Sequence, residues 1–181
     1  MRTKSILVFC GSRPGRDPAY MQAARDLGSA IGHHEMRLVY GAGDVGIMGE
    51  VARSAQKASA ETFGVIPEHL VDKEVGKEDL TSYIVTENMH ERKKVMFMNS
   101  DVVVLLPGGA GSLDEFFEVT TWAQLGLHKK PVYVVNTNGY WTKLIELIDH
   151  IIAQGFADQS YKDLFKTVDT VEELIDQISP S

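Results

Sequence analysis

The sequence lacks most of the features that mark secreted, membrane or metal-binding proteins. A single cysteine, Cys10, cannot form an intramolecular disulfide, so we expect a reducing compartment such as the cytoplasm. No hydrophobic run approaches the roughly 18 residues of a membrane-spanning helix, and the N-terminus leads into too few apolar residues for a signal peptide. The six histidines show no metal-ligand spacing, so we expect no metal or redox cofactor.

Cationic residues are also outnumbered. The chain carries 18 Lys and Arg against 25 Asp and Glu, a net charge of −7. This balance argues against binding to nucleic acid or to an anionic membrane, so any basic cluster needs a local explanation. At 181 residues and 44% hydrophobic composition, we expect one domain over residues 1–181.

Short apolar runs alternate with helical patterns along the chain. The predicted strands cover residues 5–10, 37–40, 62–66, 82–86, 101–106 and 131–135. The predicted helices cover residues 18–32, 46–58, 89–99, 113–125, 141–154 and 171–178. This alternation predicts an α/β fold with a single doubly wound, mostly parallel sheet and helices on both faces. The polar, charged segment 67–79 is predicted to be a surface loop.

Glycine-bearing loops follow four of the predicted strands. They cover residues 11–15, 41–46, 107–112 and 136–139. In doubly wound sheets, ligands bind outside the carboxyl ends of the strands. We therefore expect these loops to meet at one rim and to form a nucleotide-binding site of the Rossmann-like kind.

The most informative loop is the segment 107–115, which reads PGGAGSLDE. Its glycines let the backbone approach an anion, and the helix that follows adds the positive end of its dipole. Glu115 then places an acid beside a phosphate cradle, which indicates chemistry on a phosphorylated small molecule. Two alternatives stay open: Ser112 and Glu115 could form a capping box, or the glycines could serve a tight turn.

Two other motifs bear on the ligand. Residues 41–46 match the dinucleotide fingerprint GxGxxG, but they follow the second strand, which favours a phosphate or nucleoside loop over an NAD site. Residues 89–94, MHERKK, place three consecutive cations at a helix start, where they oppose the helix dipole. An anionic ligand would explain them, since Arg92 can bind a phosphate or carboxylate with two hydrogen bonds. A solvated helix face is the alternative.

Taken together, these residues resemble the Lonely Guy family of cytokinin riboside 5′-monophosphate phosphoribohydrolases, many of whose bacterial members are labelled lysine decarboxylases. The resemblance runs from Cys10-Gly11-Ser12 to Asn138-Gly139-Tyr140, and its most specific motifs are residues 89–93 and 107–115. Ser112 replaces the usual threonine and keeps the hydroxyl. Ala42 stands where a third consecutive glycine is common.

The resemblance implies a function in cytokinin biosynthesis or a related reaction. The implied reaction hydrolyses the N-glycosidic bond of a purine nucleoside 5′-monophosphate, AMP or an N6-substituted AMP, to the free base and ribose 5-phosphate. Arg92 and Glu115 would be the catalytic pair, no cofactor would be needed, and the protein would be a homodimer. The implied substrate contacts are Ser12, Gly43, Met89, Lys93, Gly108, Gly109, Gly111 and Ser112.

This chemistry fits the residue types. Hydrolysis of an N-glycosidic bond passes through a ribosyl cation that a carboxylate beside C1′ can stabilise while it activates water. We expect Asp114 to point to another side of the helix and Arg92 to keep Glu115 ionised near pH 7. Three other functions are considered: a nucleotide or molybdenum-cofactor carrier of the same fold, an NAD-dependent oxidoreductase, and a pyridoxal-phosphate lysine decarboxylase.

Overall fold

The computed structural model describes residues 3–179, which form a seven-stranded sheet with helices on both faces. All strand pairs are parallel, in the order β4-β3-β2-β1-β5-β6-β7. This confirms the predicted doubly wound α/β fold. The strands are β1 (Ser5–Phe9), β2 (Arg37–Tyr40), β3 (Glu61–Pro67), β4 (Ser82–Thr86), β5 (Val102–Leu105), β6 (Val132–Val135) and β7 (Lys166–Val168).

Six α-helices of the described chain pack on the two faces of this sheet. They are α1 (Pro18–His33), α2 (Gly46–Lys57), α3 (Met89–Met98), α4 (Ala110–Gln124), α5 (Thr142–Ala153) and α6 (Val171–Ile178). Helices α1, α2 and α6 enclose one hydrophobic core, and α3, α4 and α5 enclose the other. No helix within residues 3–179 combines the length and the apolar character needed to cross a membrane.

The central strand β1 shows why the sheet is buried on both sides. Alternate residues of a strand point to opposite faces. Ile6 and Val8 accordingly join the core under α1, α2 and α6, whereas Leu7 and Phe9 join the core under α3, α4 and α5. A continuous apolar run is therefore what a central parallel strand requires.

Two elements differ from their predicted form. Strand β7 was not predicted because it is short and largely exposed, with only Val168 buried, and it lies at the sheet edge beside β6. Helix α4 begins at Ala110 rather than Leu113, and Gly109 caps it with no side-chain hydrogen bond. Ser112 thus lies inside the helix, so the capping box between Ser112 and Glu115 is wrong.

The segment 67–79 folds back onto the loop that follows β2, instead of being only a surface loop. The Asp44 amide donates to the carbonyl oxygens of Glu74 and Val75, at 2.9 and 3.0 Å. The Lys77 amide donates to the Ala42 carbonyl at 2.7 Å. These bonds bring residues of segment 67–79 to the rim where the ligand is expected.

Candidate active site

A cleft of about 520 Å³ opens where the loops after β1, β2 and β5 meet. The Gly11 amide donates to the Pro107 carbonyl at 3.0 Å and joins the loops after β1 and β5. The Met48 amide, in the first turn of α2, donates to the Gly11 carbonyl at 3.1 Å. The predicted convergence of glycine-bearing loops is therefore confirmed for the loops 11–15, 41–46 and 107–112. Residues 136–139 do not line the cleft, although the next residue, Tyr140, does.

The N-terminus of α4 forms one wall of this cleft. Its cap residue, Gly109, leaves the first amide groups without a side-chain acceptor. A Cβ atom built on Gly109 or Gly111 would meet no atom within 4 Å, so the space beside this backbone is open. At Gly108 a Cβ atom would lie 2.1 Å from Ser112 Oγ, so the loop is closely packed there. Free amides and the helix dipole together make this end of α4 suitable for an anion.

Arg92 forms the opposite wall and is held in a fixed orientation. Its side chain is almost fully buried. Its Nε donates to the Val65 carbonyl at 3.0 Å, and its Nη2 donates to the Gly41 carbonyl at 2.6 Å and to Glu74 Oε2 at 2.7 Å. A Cβ atom on Gly41 would lie 2.3 Å from Nη2, so only glycine permits this approach. Among the described residues, the hydrogen-bond partner of Nη1 is Met89 Sδ, at 3.8 Å, so Nη1 is the donor best placed to reach a ligand.

Glu115 lies in the second turn of α4 and lines the cleft. Its carboxyl group makes no hydrogen bond or ion pair with any residue in the described range 3–179. Burial raises the pKa of Glu115 to about 8; the charge of Arg92 opposes this rise, and the carboxylates of Asp114 and Glu74 add to it. The expectation that Arg92 keeps Glu115 ionised near pH 7 is therefore wrong for this structure, because desolvation outweighs the attraction.

The cleft brings together most of the residues expected at the site. Gly43 and Lys93 do not line it. Gly43 packs against Met48, and a Cβ atom built on Gly43 would lie 2.5 Å from Met48 Cε. The residues that line it are Arg92, Glu115, Ser12, Met89, Gly108, Gly109, Gly111 and Ser112.

Lys93 instead links α3 to α4. Its Nζ forms ion pairs with Asp114, at 3.0 Å, and with Glu118. Asp114 thus points away from Glu115's position in the cleft, as expected. Two of the three cations at the start of α3 are balanced by carboxylates of the protein itself: Glu74 for Arg92, and Asp114 with Glu118 for Lys93. The third, Lys94, is exposed.

Several residues that line the cleft were not singled out as site residues from the sequence, among them Cys10, Tyr20, Glu74 and Tyr140. The rings of Tyr20 and Tyr140 meet edge to face with centroids 5.1 Å apart, and the Tyr140 hydroxyl donates to the Gly108 carbonyl at 2.5 Å. Burial raises the pKa of the Cys10 thiol, so it stays protonated and is a poor nucleophile. The family resemblance begins at Cys10 and ends at Tyr140 and so offered a signal for these two, but the sequence offered none for Tyr20 and Glu74.

The residues that line the cleft do not fit the chemistry of a pyridoxal-phosphate lysine decarboxylase. Within residues 3–179, no group of three or more His, Cys, Asp or Glu side chains is arranged to hold a metal ion. None of the described residues that line the cleft is a lysine, so a Schiff base with pyridoxal phosphate has no anchor there.

Similarity to known proteins agrees with this geometry. The family model described as possible lysine decarboxylase matches residues 48–178. Cytokinin riboside 5′-monophosphate phosphoribohydrolase LOG5 of Arabidopsis thaliana is 40% identical over 177 residues, which cover 98% of this chain and 78% of the relative. The probable enzyme of the same description, LOG4 of Oryza sativa subsp. japonica, is 40% identical over 176 residues, 97% of this chain and 76% of the relative. The chain belongs to the Lonely Guy family.

Solved structures extend this Lonely Guy fold to a second group of proteins. The molybdenum cofactor binding protein from Rippkaea orientalis aligns with a TM-score of 0.72 at 24% identity, over 98% of this chain and 96% of that one. The Moco carrier protein from Chlamydomonas reinhardtii aligns with a TM-score of 0.71 at 21% identity, with the same coverage. At these identities the similarity establishes a shared fold. It does not show that this chain binds the same cofactor.

Replacement of Glu115 by glutamine should change how stability depends on pH. The carboxyl group titrates near 4.5 when exposed and near 8 in the folded protein, so the folded state holds the extra proton between these values. The free energy of unfolding of the wild type therefore falls as the pH rises through this window. Relative to Glu115→Gln, the wild type should lose roughly 2–3 kcal/mol between about pH 5.5 and pH 8 in urea unfolding.

A matched control separates this effect from general acid and base titration. Glu172→Gln removes an exposed carboxylate of α6, on the opposite face of the sheet, and its pH dependence should follow that of the wild type. If Glu115→Gln also follows the wild type, Glu115 has an ordinary pKa.

Proposed function

We propose that the protein hydrolyses the N-glycosidic bond of a purine nucleoside 5′-monophosphate, AMP or an N6-substituted AMP, to the free base and ribose 5-phosphate. One observation carries the proposal: a single cleft unites the uncapped N-terminus of α4, the fixed Arg92 and the half-buried Glu115. Membership of the Lonely Guy family supports it, because relatives in that family are named as phosphoribohydrolases. A cofactor carrier would share the loops but has no evident use for an unpaired carboxyl group in the same cleft as a fixed arginine.

In this proposal the 5′-phosphate binds at the N-terminus of α4. The backbone at Gly109 and Gly111 borders open space, and Ser12 and Ser112, which carry hydroxyl groups, are among the lining residues. Binding of the phosphate there would hold C1′ of the ribose near Glu115. The phosphate does not react, but its binding energy orients the N-glycosidic bond that is cleaved.

Glu115 acts in its carboxylate form. It stabilises the ribosyl cation as the bond between C1′ and the base breaks, and it accepts a proton from the water whose oxygen bonds to C1′. The departing base takes up a proton from the solvent. Arg92 Nη1 donates to the ribose or the phosphate. Because the pKa of Glu115 is about 8, only about a tenth of the protein carries the carboxylate at pH 7.

Glu115→Gln should abolish most of the activity. The amide keeps the size of the side chain but can neither take a proton from water nor stabilise a cation, so turnover of AMP should fall roughly 10²- to 10⁴-fold. AMP should still bind, because the α4 N-terminus and Arg92 are unchanged. In the wild type, kcat/KM should rise between about pH 7 and pH 8 as Glu115 ionises. Chromatography of released adenine measures turnover, and calorimetry measures binding.

The control for this experiment is Asp114→Asn, which makes the same change on the neighbouring residue, whose side chain is 60% exposed. It should retain most of the activity. Near-normal cleavage by Glu115→Gln would assign the reaction to another residue.

Arg92→Ala should lower both turnover and AMP affinity, because a donor to the ligand is lost.

The proposed phosphate site also makes a prediction about the form of the substrate. AMP should be cleaved with a kcat/KM far above that of adenosine, roughly 10²-fold or more, because the nucleoside cannot use the α4 N-terminus to position C1′. Initial rates of adenine release from the two compounds measure the ratio. Equal rates would contradict a phosphate site in this cleft.

A homodimer is the assembly we propose. Apolar side chains remain exposed where α3 and α4 end: Met98 and Leu125 are each 67% exposed, and Leu127 is 70% exposed. The two helix ends lie side by side, since the rings of Phe97 and Trp122 have centroids 5.1 Å apart. An exposed apolar cluster of this kind is typical of a protein interface.

Light scattering should therefore give twice the mass of one chain at micromolar concentration. Leu127→Asp places a charge within the exposed apolar cluster and should shift the protein towards the monomer. Phe156→Asp is the matched control, because Phe156 is 87% exposed but follows α5 rather than α4. A wild-type monomer would rule out the proposed dimer.

A further inference from the structure

Segment 67–79 places one carboxylate, that of Glu74, inside the cleft. Its main chain is held on both sides, because the Glu74 amide donates to Leu70 at 2.8 Å and its carbonyl accepts from Asp44 at 2.9 Å. Farther along, the Lys77 amide donates to the Ala42 carbonyl at 2.7 Å and ties the segment to the loop after β2. The Glu74 side chain, only 17% exposed, therefore has a defined position.

Glu74 is not needed to fix the place of Arg92. The carbonyl groups of Val65 and Gly41 already hold Nε and Nη2 of the guanidinium. What Glu74 adds is charge: its Oε2 lies 2.7 Å from Nη2 and is the one carboxylate that the described structure places in an ion pair with Arg92. Both side chains are largely buried, where charges interact more strongly than in water.

The charge of Arg92 matters because Glu115 shares the same cleft. Arg92 and Lys93 on α3 favour the carboxylate of Glu115, whereas Asp114 on α4 and Glu74 on segment 67–79 oppose it. Lys93 is already paired with Asp114 and Glu118. The thiol of Cys10, at the end of β1, stays neutral. Arg13, in the loop after β1, also lines the cleft, but Arg92 is the cation with the larger effect on Glu115. Glu74 pairs with Arg92 and opposes that effect.

We propose that Glu74 is a positioning residue: its ion pair with Arg92 withdraws that cation from Glu115, so Glu74 governs how far Glu115 is available as a carboxylate. The consequence for catalysis rests on the proposed function. The electrostatic coupling between the three side chains does not, and it can be measured without any substrate.

The test compares two variants of the same segment. Glu74→Gln keeps the shape and an acceptor oxygen for Arg92 but removes the negative charge. Glu78→Gln makes the same change on an exposed residue of segment 67–79 that does not line the cleft. Carboxyl ¹³C NMR follows the titration of Glu115, whose resonance is identified by its loss in Glu115→Gln. The pKa of Glu115 should fall by about one unit or more in Glu74→Gln and stay unchanged in Glu78→Gln.

Activity supplies a second readout. The rise of kcat/KM with pH should move to lower pH in Glu74→Gln by the same amount as the NMR titration, and Glu74→Asp should restore much of the wild-type profile. An unchanged Glu115 titration in folded Glu74→Gln would overturn the proposal. So would loss of folding in Glu74→Gln, since that would make Glu74 a requirement for stability. If the wild type fails to cleave AMP, the proposed function falls, while the NMR titration still decides the coupling.

Discussion

The burial of the Arg92 guanidinium is the constraint on which the rest of the site depends. A buried cation costs several kcal/mol unless hydrogen bonds and an opposite charge compensate for it. Strand β3 and the loop after β2 supply two carbonyl oxygens, from Val65 and Gly41, and segment 67–79 supplies the carboxylate of Glu74. These acceptors compensate for the burial of the cation, and the close approach of Nη2 to the chain explains why glycine is needed at position 41.

The same desolvation sets the character of Glu115. In a cleft lined by Met48, Met96 and Tyr20, its carboxyl group finds no hydrogen-bond partner among the described residues and holds its proton up to a pH of about 8. Burial of a neutral carboxyl group costs little desolvation free energy. Its ionised form, however, interacts strongly with any positive charge that develops nearby. Ionisation of Glu115 lowers the folding stability at alkaline pH, and the cleft keeps in return a carboxyl group that can change its charge. Functional sites commonly lower the stability of a protein in this way.

The fold itself does not decide the function. Molybdenum cofactor proteins share this fold at 24% identity or less. A function has to be argued from the side chains that line the cleft. For this chain, Arg92 and Glu115 supply a fixed cation and a titratable acid within one cleft, which suits cleavage of a glycosidic bond.

Local patterns in the sequence determined the order of strands and helices, the parallel sheet and the glycine loops on its rim, because these depend on neighbouring residues and on the handedness of crossovers. Strand β7 escaped prediction because a short, exposed edge strand carries little pattern, and the start of α4 was misplaced because a glycine cap leaves no side-chain signal. Only the tertiary structure brought Glu74 to Arg92, through a segment with no periodicity. It alone decided the protonation of Glu115, because desolvation is the sum of atoms from several distant elements rather than a property of any one stretch of chain.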